Sequence, residues 1–181
     1  MKSQFDRCMC SQAGSEEATI HCSNSVKWYF NMSSSTVYRQ HGILFEVPNG
    51  WEIDEQATEH GDVTITVSDG AAFWALTLMW ERPEVERVLQ EAKQAFEEEY
   101  EELDIEEVRE KISRRDCEGF DIEFVCMEFI NHVSLRSLRT GRFTAFVMSQ
   151  MTDHEQKYYT PLFDDITSSL DVDQDGEILI G

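Results

Sequence analysis

The side chains best suited to chemistry lie in three places along the chain. Near the start, Cys8, Cys10, His21 and Cys22 bring four soft ligands into a short span. A structural zinc ion takes such donors as a closed tetrahedron. The spacing argues against it. Cys-x-Cys is tight, and the adjacent His21 and Cys22 rarely both aim at one metal, so thiols in a loose tail are the plainer reading. At the other end, Asp171, Asp173, Asp175 and Gly176 match the first half of a calcium-binding loop. Alternating carboxylates supply hard oxygens, the glycine permits the sharp turn, and Ile178 takes the usual apolar position. The sequence stops at Gly181, one position before the bidentate glutamate of that loop. A solvated acidic tail is the ordinary alternative, and no cofactor is expected, with calcium or zinc as the metals to test.

In the middle, Cys117 with His132 or His154 offers the pieces of a thiol nucleophile and its base. A reactive thiol needs an electropositive setting, and Arg114 and Arg115 supply a little of one. A strand-edge cysteine among surface charges explains the same residues. Gly-x-Ser-x-Gly, Gly-x4-Gly-Lys and His-Glu-x-x-His do not occur. Carboxylates are so numerous that chance acid pairs carry no information. The expectation leans away from an enzyme, with a scattered Cys117, His132 and Arg136 site as the catalytic alternative.

Three groups suit binding instead. Arg136, Arg139 and Arg142 concentrate positive charge, with Arg136 and Arg142 expected to face each other across a hairpin turn as a seat for a carboxylate or other anion. Pairing with nearby acids is the competing account. The run Glu97 to Glu102, with Glu98, Glu99, Glu101 and Glu102 at its end, steers a basic partner or is a solvated face. Trp74 and Trp80 lie an even number of residues apart and share a sheet face. Left uncovered, that face is a concave aromatic surface; covered, it is core.

The elements that must hold these groups follow from periodicity. Residues 1–35 are rich in Ser, Asn and Cys and sustain no amphipathic period, which predicts a loosely attached arm. Val37-Tyr38 and Ile43 to Val47 read as strands parted by Gly42, and Pro48-Asn49-Gly50 as a turn before Trp51. Val63 to Val67 is β-branched, and Phe73 to Trp80 is apolar on both faces, which predicts a central strand in a hairpin. After Pro83, the positions Val85, Val88, Leu89, Ala92, Phe96 and Tyr100 recur at helical spacing, and the acidic end predicts that the helix frays or turns early. Ile105 to Ser113 reads as a strand, Glu118-Gly119 as a turn, and Phe120, Ile122, Phe124 and Cys126 as the buried side of the next strand. Asn131-His132 is expected to punctuate it. Val133 to Arg139 and Arg142 to Met151 follow around Thr140-Gly141. Asp153 is placed as the cap of a closing helix that Pro161 splits or kinks. Strands, helix, strands, helix is the order of an α+β domain with an antiparallel sheet of six or seven strands over residues 36–170, followed by an acidic tail over 171–181.

Composition bounds the function. The chain has 181 residues and a formal net charge of −21. That charge argues against nucleic acid and against anionic membrane surfaces, and it favours solubility and basic protein partners. No apolar run approaches the length of a membrane span. The N-terminus lacks the apolar region of a secretory signal. Five cysteines, an odd number, then predict reduced thiols in a bacterial cytoplasm.

Two stretches carry a family resemblance. Gly42-Ile43-Leu44-Phe45-Glu46-Val47-Pro48-Asn49-Gly50-Trp51 resembles the opening strand, proline, glycine and tryptophan of the PsbP-like superfamily. The strand Phe143 to Met151, followed by Asp153, Tyr158-Tyr159, Pro161, Phe163, Ile166 and Ser169, is similar to its last strand and helix. The resemblance implies a twisted antiparallel sheet with helices on its faces. It also implies binding rather than catalysis, because the superfamily joins a photosystem II extrinsic subunit, an import factor for the GTPase Ran and DcrB-like bacterial proteins. No site residue carries over, and fold alone is a poor warrant for function. The expectation is a non-enzymatic binding or adaptor domain that holds a protein partner by a sheet face or acidic rim.

Overall fold

The computed structural model describes residues 35–58 and 61–172. The elements run β1 (Ser35–Gln40), β2 (Ile43–Pro48), β3 (Glu52–Ala57), β4 (Val63–Ser68), β5 (Phe73–Met79), α1 (Val85–Glu99), β6 (Leu103–Ile112), β7 (Arg115–Cys126), β8 (Phe129–Arg139), β9 (Thr144–Thr152), α2 (Asp153–Ser169) and β10 (Asp171–Val172). Seven strands form an antiparallel sheet in the order β3-β4-β5-β9-β8-β7-β6, and β1-β2-β10 form a small second sheet. The fold is α+β, as expected, with β5 in the interior of the large sheet. Among the described residues, no helix is long and apolar enough to cross a membrane.

Side-chain alternation divides the large sheet into two packed faces. One carries Phe120, Ile122, Phe124, Val133, Leu135, Phe146 and Met148, and α1 covers it with Val88, Leu89, Ala92 and Phe96. That helix keeps its turns to Glu99 despite having no basic residue in its last turn. Tyr100, its half-buried cap, lies 4.0 Å from the Phe124 ring centroid, and Phe96 lies 5.9 Å from it. Aromatic packing offsets the unfavourable end charges up to Glu99, and the chain leaves the helix at Tyr100, ahead of Glu101 and Glu102.

The other face carries Ile65, Val67, Trp74, Leu76, Leu78, Leu138 and Val147, covered by α2 and the small sheet. The helix α2 runs unbroken through Pro161. Tyr159, Phe163 and Ile166 bury its apolar stripe, so packing outweighs the hydrogen bond that a helical proline removes. Thr152, not Asp153, is the N-cap. Ser169 accepts the Glu46 amide at 2.9 Å, and Asp171–Val172 pair with β2. The first two residues of the expected tail are therefore part of the small sheet.

Two turns differ from the sequence reading. The β6–β7 turn is Ser113-Arg114 and the β7–β8 turn is Met127-Glu128, with all four residues at φ between 49° and 69°. Neither turn has Asn or Gly, the usual markers of left-handed hairpin loops. The apparent turn Glu118-Gly119 lies inside β7, and Asn131-His132 lies inside β8. The four strands β6 to β9 form one continuous meander.

A candidate binding cleft beside Arg136

The α2 face of the meander has a row of polar residues that leaves a gap beneath the helix. Even-numbered residues of β8 point that way, including His132, Ser134 and Arg136, and so do Asp121 on β7 and Glu110 on β6. Opposite them, Gln156, Thr160, Phe163, Asp164 and Thr167 recur at helical spacing on α2. Together with Val147, Ser149 and Met151 of β9 they line a cleft of about 520 Å³. That is the size of a small-ligand or side-chain pocket.

Arg136 forms the floor. Its Nε donates to Glu110 at 2.5 Å, and its Nη1 donates to Asp121 at 2.8 Å and to the Phe120 and Leu135 carbonyls at 3.2 and 3.0 Å. The side chain is only 11% exposed. Burial opposes its charge, yet the bonds to Asp121 and Glu110 hold its pKa above the usual value. Gly119 explains the path of this side chain. It sits opposite Arg136, and a Cβ there would lie 2.0 Å from the Leu135 carbonyl oxygen and 2.7 Å from Arg136 Cδ. The glycine read as a turn signal is a crossing point for the arginine.

With Arg136 matched by two carboxylates, the wall keeps excess negative charge. Lys111, also lining the cleft, pairs with Asp116 at 2.6 Å. Asp164 hangs from α2 over this group, and its pKa is raised, first by burial, then by Glu110 and Asp165, with Arg136 opposing. Burial alone would not favour a cation there; the part of the shift that comes from Glu110 and Asp165 does.

The three arginines do not converge on one seat. The register sets Arg136 against Val147 and Arg139 against Thr144, so Arg136 and Arg142 do not face each other. Arg139 binds Glu84 at 2.6 Å and the Arg82 carbonyl at 3.0 Å, which pins the start of α1 to the sheet. Arg142 lies over the Trp80 ring, 5.9 Å from its centroid. Trp74 and Trp80 pack into the same core, Trp74 within it and Trp80 half-buried at its edge. Trp74 is fully buried and donates to Thr167 of α2 at 2.9 Å, and Trp80 packs edge-on to Phe143. The cover is α2 and not the long helix α1. Glu98, Glu99, Glu101 and Glu102 are all exposed.

The catalytic alternative fails on distance. Cys117 is buried, and its thiol is pushed up to about 12, mainly by burial and then by the Glu110 charge. His132 stands opposite Glu123 and pairs with it at 2.9 Å. Cys117 and Glu123 are six residues apart on one strand, about 20 Å at ~3.3 Å per residue. His154 lies on α2, against Phe129 at the far end of the sheet. Thus Cys117 is a core residue. Cys126 is disulfide-bonded, so the expectation of five reduced cysteines does not hold there. Among the described residues no group of His, Cys, Asp and Glu is arranged to hold a metal. Asp171 pairs at 3.7 Å with Arg114. The other members of the calcium and zinc sets, Asp173, Asp175, Cys8, Cys10, His21 and Cys22, lie outside the described residues.

Sequence reasoning named Arg136 and His132 but missed Glu110, Asp121 and Asp164. Alternation along residues 115–126 places Asp121 on the face opposite Phe120 and Ile122, and that signal was available. Nothing in the sequence pairs Glu110 with Arg136, because the contact spans two strand crossings.

No family model matches the chain, and no curated protein matches it. Among solved structures, the cyanobacterial PsbP, CyanoP, of Synechocystis sp. PCC 6803 is similar at a TM-score of 0.54 and 14% identity, covering 82% of this chain and 98% of that one. LpqN of Mycobacterium tuberculosis, described as involved in cell envelope biogenesis, gives 0.46 and 11%, covering 77% and 91%. PA94, a Pseudomonas aeruginosa protein of unknown function, gives 0.47 and 11%, covering 75% and 94%. The chain has a PsbP-like fold.

Proposed function

We propose that this PsbP-like domain is a non-enzymatic binding module that takes a cationic side chain of a protein partner into the cleft between α2 and the β6–β9 meander. The observation that carries the reading is the Arg136 group. Glu110 and Asp121 already neutralise the arginine, and Asp164 adds a further carboxyl whose pKa is raised by burial first and then by Glu110 and Asp165. A lysine or arginine entering beside Asp164 relieves that repulsion and gains a charge-assisted hydrogen bond. The net charge of −21 steers basic partners toward the domain as a whole.

Fluorescence polarisation with a labelled peptide carrying four lysines tests it on the full chain at low salt. Asp164→Asn is expected to weaken binding about fivefold, the size of one charge-assisted contact at a half-exposed site. Glu98→Gln with Glu99→Gln is expected to change it less than twofold. Equal losses in both variants would reduce the effect to overall charge and sink the cleft reading.

A further inference from the structure

The cleft does not end beneath the helix. Residues Asp121, Glu123 and Val125 of β7 lie on the cleft side of the sheet, as do Arg136, Ser134, His132 and Ile130 of β8. Val125 and Ile130 stand opposite each other at the end of this double row. There the flanking strands end among the described residues. The neighbour β6 begins at Leu103, opposite Phe124, and β9 ends at Thr152, opposite Asn131. From Val125 to Ile130 the hairpin therefore projects as a two-stranded ribbon beyond the neighbouring strands, with Phe129 against His154 at the start of α2.

This projecting ribbon is apolar where solvent reaches it. Val125 is 67% exposed, Met127 60%, Phe129 44% and Ile130 41%. They account for four of the seven large hydrophobic side chains exposed among the described residues. The turn that presents them holds Met127 at φ 49° and Glu128 at φ 69°. Left-handed non-glycine residues cost energy that Asn-Gly would avoid, so the turn keeps a methionine at the tip against local preference. The charges beside the shelf are acidic, Glu123 and Glu128, with His132 and His154 the basic-capable neighbours.

We propose that the Val125–Ile130 pair and Met127 form a shelf for an apolar side chain of the same partner segment whose cationic residue enters the cleft. This rests on the cleft reading above and adds a spacing rule to it. From Asp121 to Val125 is four residues of strand, about 13 Å at ~3.3 Å per residue. An extended peptide spans that length with its basic and apolar residues four positions apart. Acidic groups beside an apolar shelf favour a peptide with positive charge over an anionic lipid surface.

The test uses the full chain and three blocked nonapeptides of Gly, Ser and Gln. One carries a lysine and, four positions on, a phenylalanine; one has alanine for the phenylalanine; one has the pair two positions apart. The first is expected to bind about tenfold tighter than either of the others, the size of one partly buried aromatic. In Val125→Ser/Ile130→Ser, both exposed positions, that advantage disappears while the alanine peptide binds as before. Equal binding of all three peptides overturns the shelf and leaves the cleft reading standing. No binding of any lysine peptide overturns both. Two other results also overturn the peptide shelf. One is co-sedimentation with phosphatidylcholine vesicles that the double variant abolishes. The other is a dimer that the double variant dissolves.

Discussion

Arg136 is the residue on which the meander and the cleft both turn. It is buried, carries four hydrogen-bonding contacts, and ties β8 to β7 and β6. Removing one partner of a buried ion group strands the others. Its two carboxylate partners are nearly half exposed, which lets water recover part of the loss. Arg136→Ala is therefore expected to cost about 2 kcal/mol in urea unfolding, and Arg136→Met, which keeps the stem packing, about half as much. An unchanged midpoint for Arg136→Ala would contradict the arrangement. Asp164 works in the opposite sense. A carboxyl with a higher pKa in the folded chain stabilises the fold when protonated, and that stabilisation is lost as pH rises through the folded pKa. Asp164→Asn is thus expected to raise Tm at neutral pH, with the gain shrinking as pH falls through the carboxylate range. Thermal melts over that range check the sign; a loss of Tm at neutral pH would refute it.

At the scale of elements, the β7–β8 hairpin shows how local preference yields to position. Met127→Asn with Glu128→Gly places residues that tolerate left-handed backbone where the chain adopts it. The pair is expected to stabilise the protein by about 1 kcal/mol and to remove Met127 from the shelf, read by denaturation and by the peptide titration. The same hairpin marks the limit of what the sequence discloses. Alternation in Phe120, Ile122 and Phe124 identified β7, and helical spacing identified α1, because burial of one face imposes those periods. The turns at Ser113-Arg114 and Met127-Glu128 carry no turn residues, so reading by Gly and Asn placed the breaks at Glu118-Gly119 and Asn131-His132 instead. Gly119 is where it is because a side chain from the next strand crosses it. The strand β3, Glu-Ile-Asp-Glu-Gln-Ala, is exposed along its whole length. As a charged edge it has no buried face to print a pattern, and charge there discourages sheet-to-sheet association. The second sheet was likewise invisible, since β10 is two residues long and gains its place only by pairing with β2.

For the whole molecule, two layers of cover on one sheet leave a gap and an overhang among the described residues. The gap is the cleft under α2, and the overhang is the β7–β8 tip; both lie on the same face and meet at His132 and Glu123. The net charge of −21 sets the long-range field around them. Peptide affinity is expected to fall as salt rises from 20 to 200 mM, mostly through the association rate, because the Debye length shortens over about that range. The apolar contribution of the shelf is expected to persist at the higher salt, since it does not depend on charge. Stopped-flow binding at several salt concentrations separates the two; a salt-independent association rate would exclude electrostatic steering.

The most direct test of a cationic partner seated under α2 is amide chemical-shift mapping of the full chain titrated with the lysine-phenylalanine peptide. The account predicts shifts along Glu110–Ser113, Asp121–Val125, Ile130–Arg136 and the cleft side of α2 from Gln156 to Ser168, with the small sheet and Glu98–Glu102 unmoved. Shifts centred on Glu98–Glu102 or on β1 and β2, with the cleft unmoved, would contradict it.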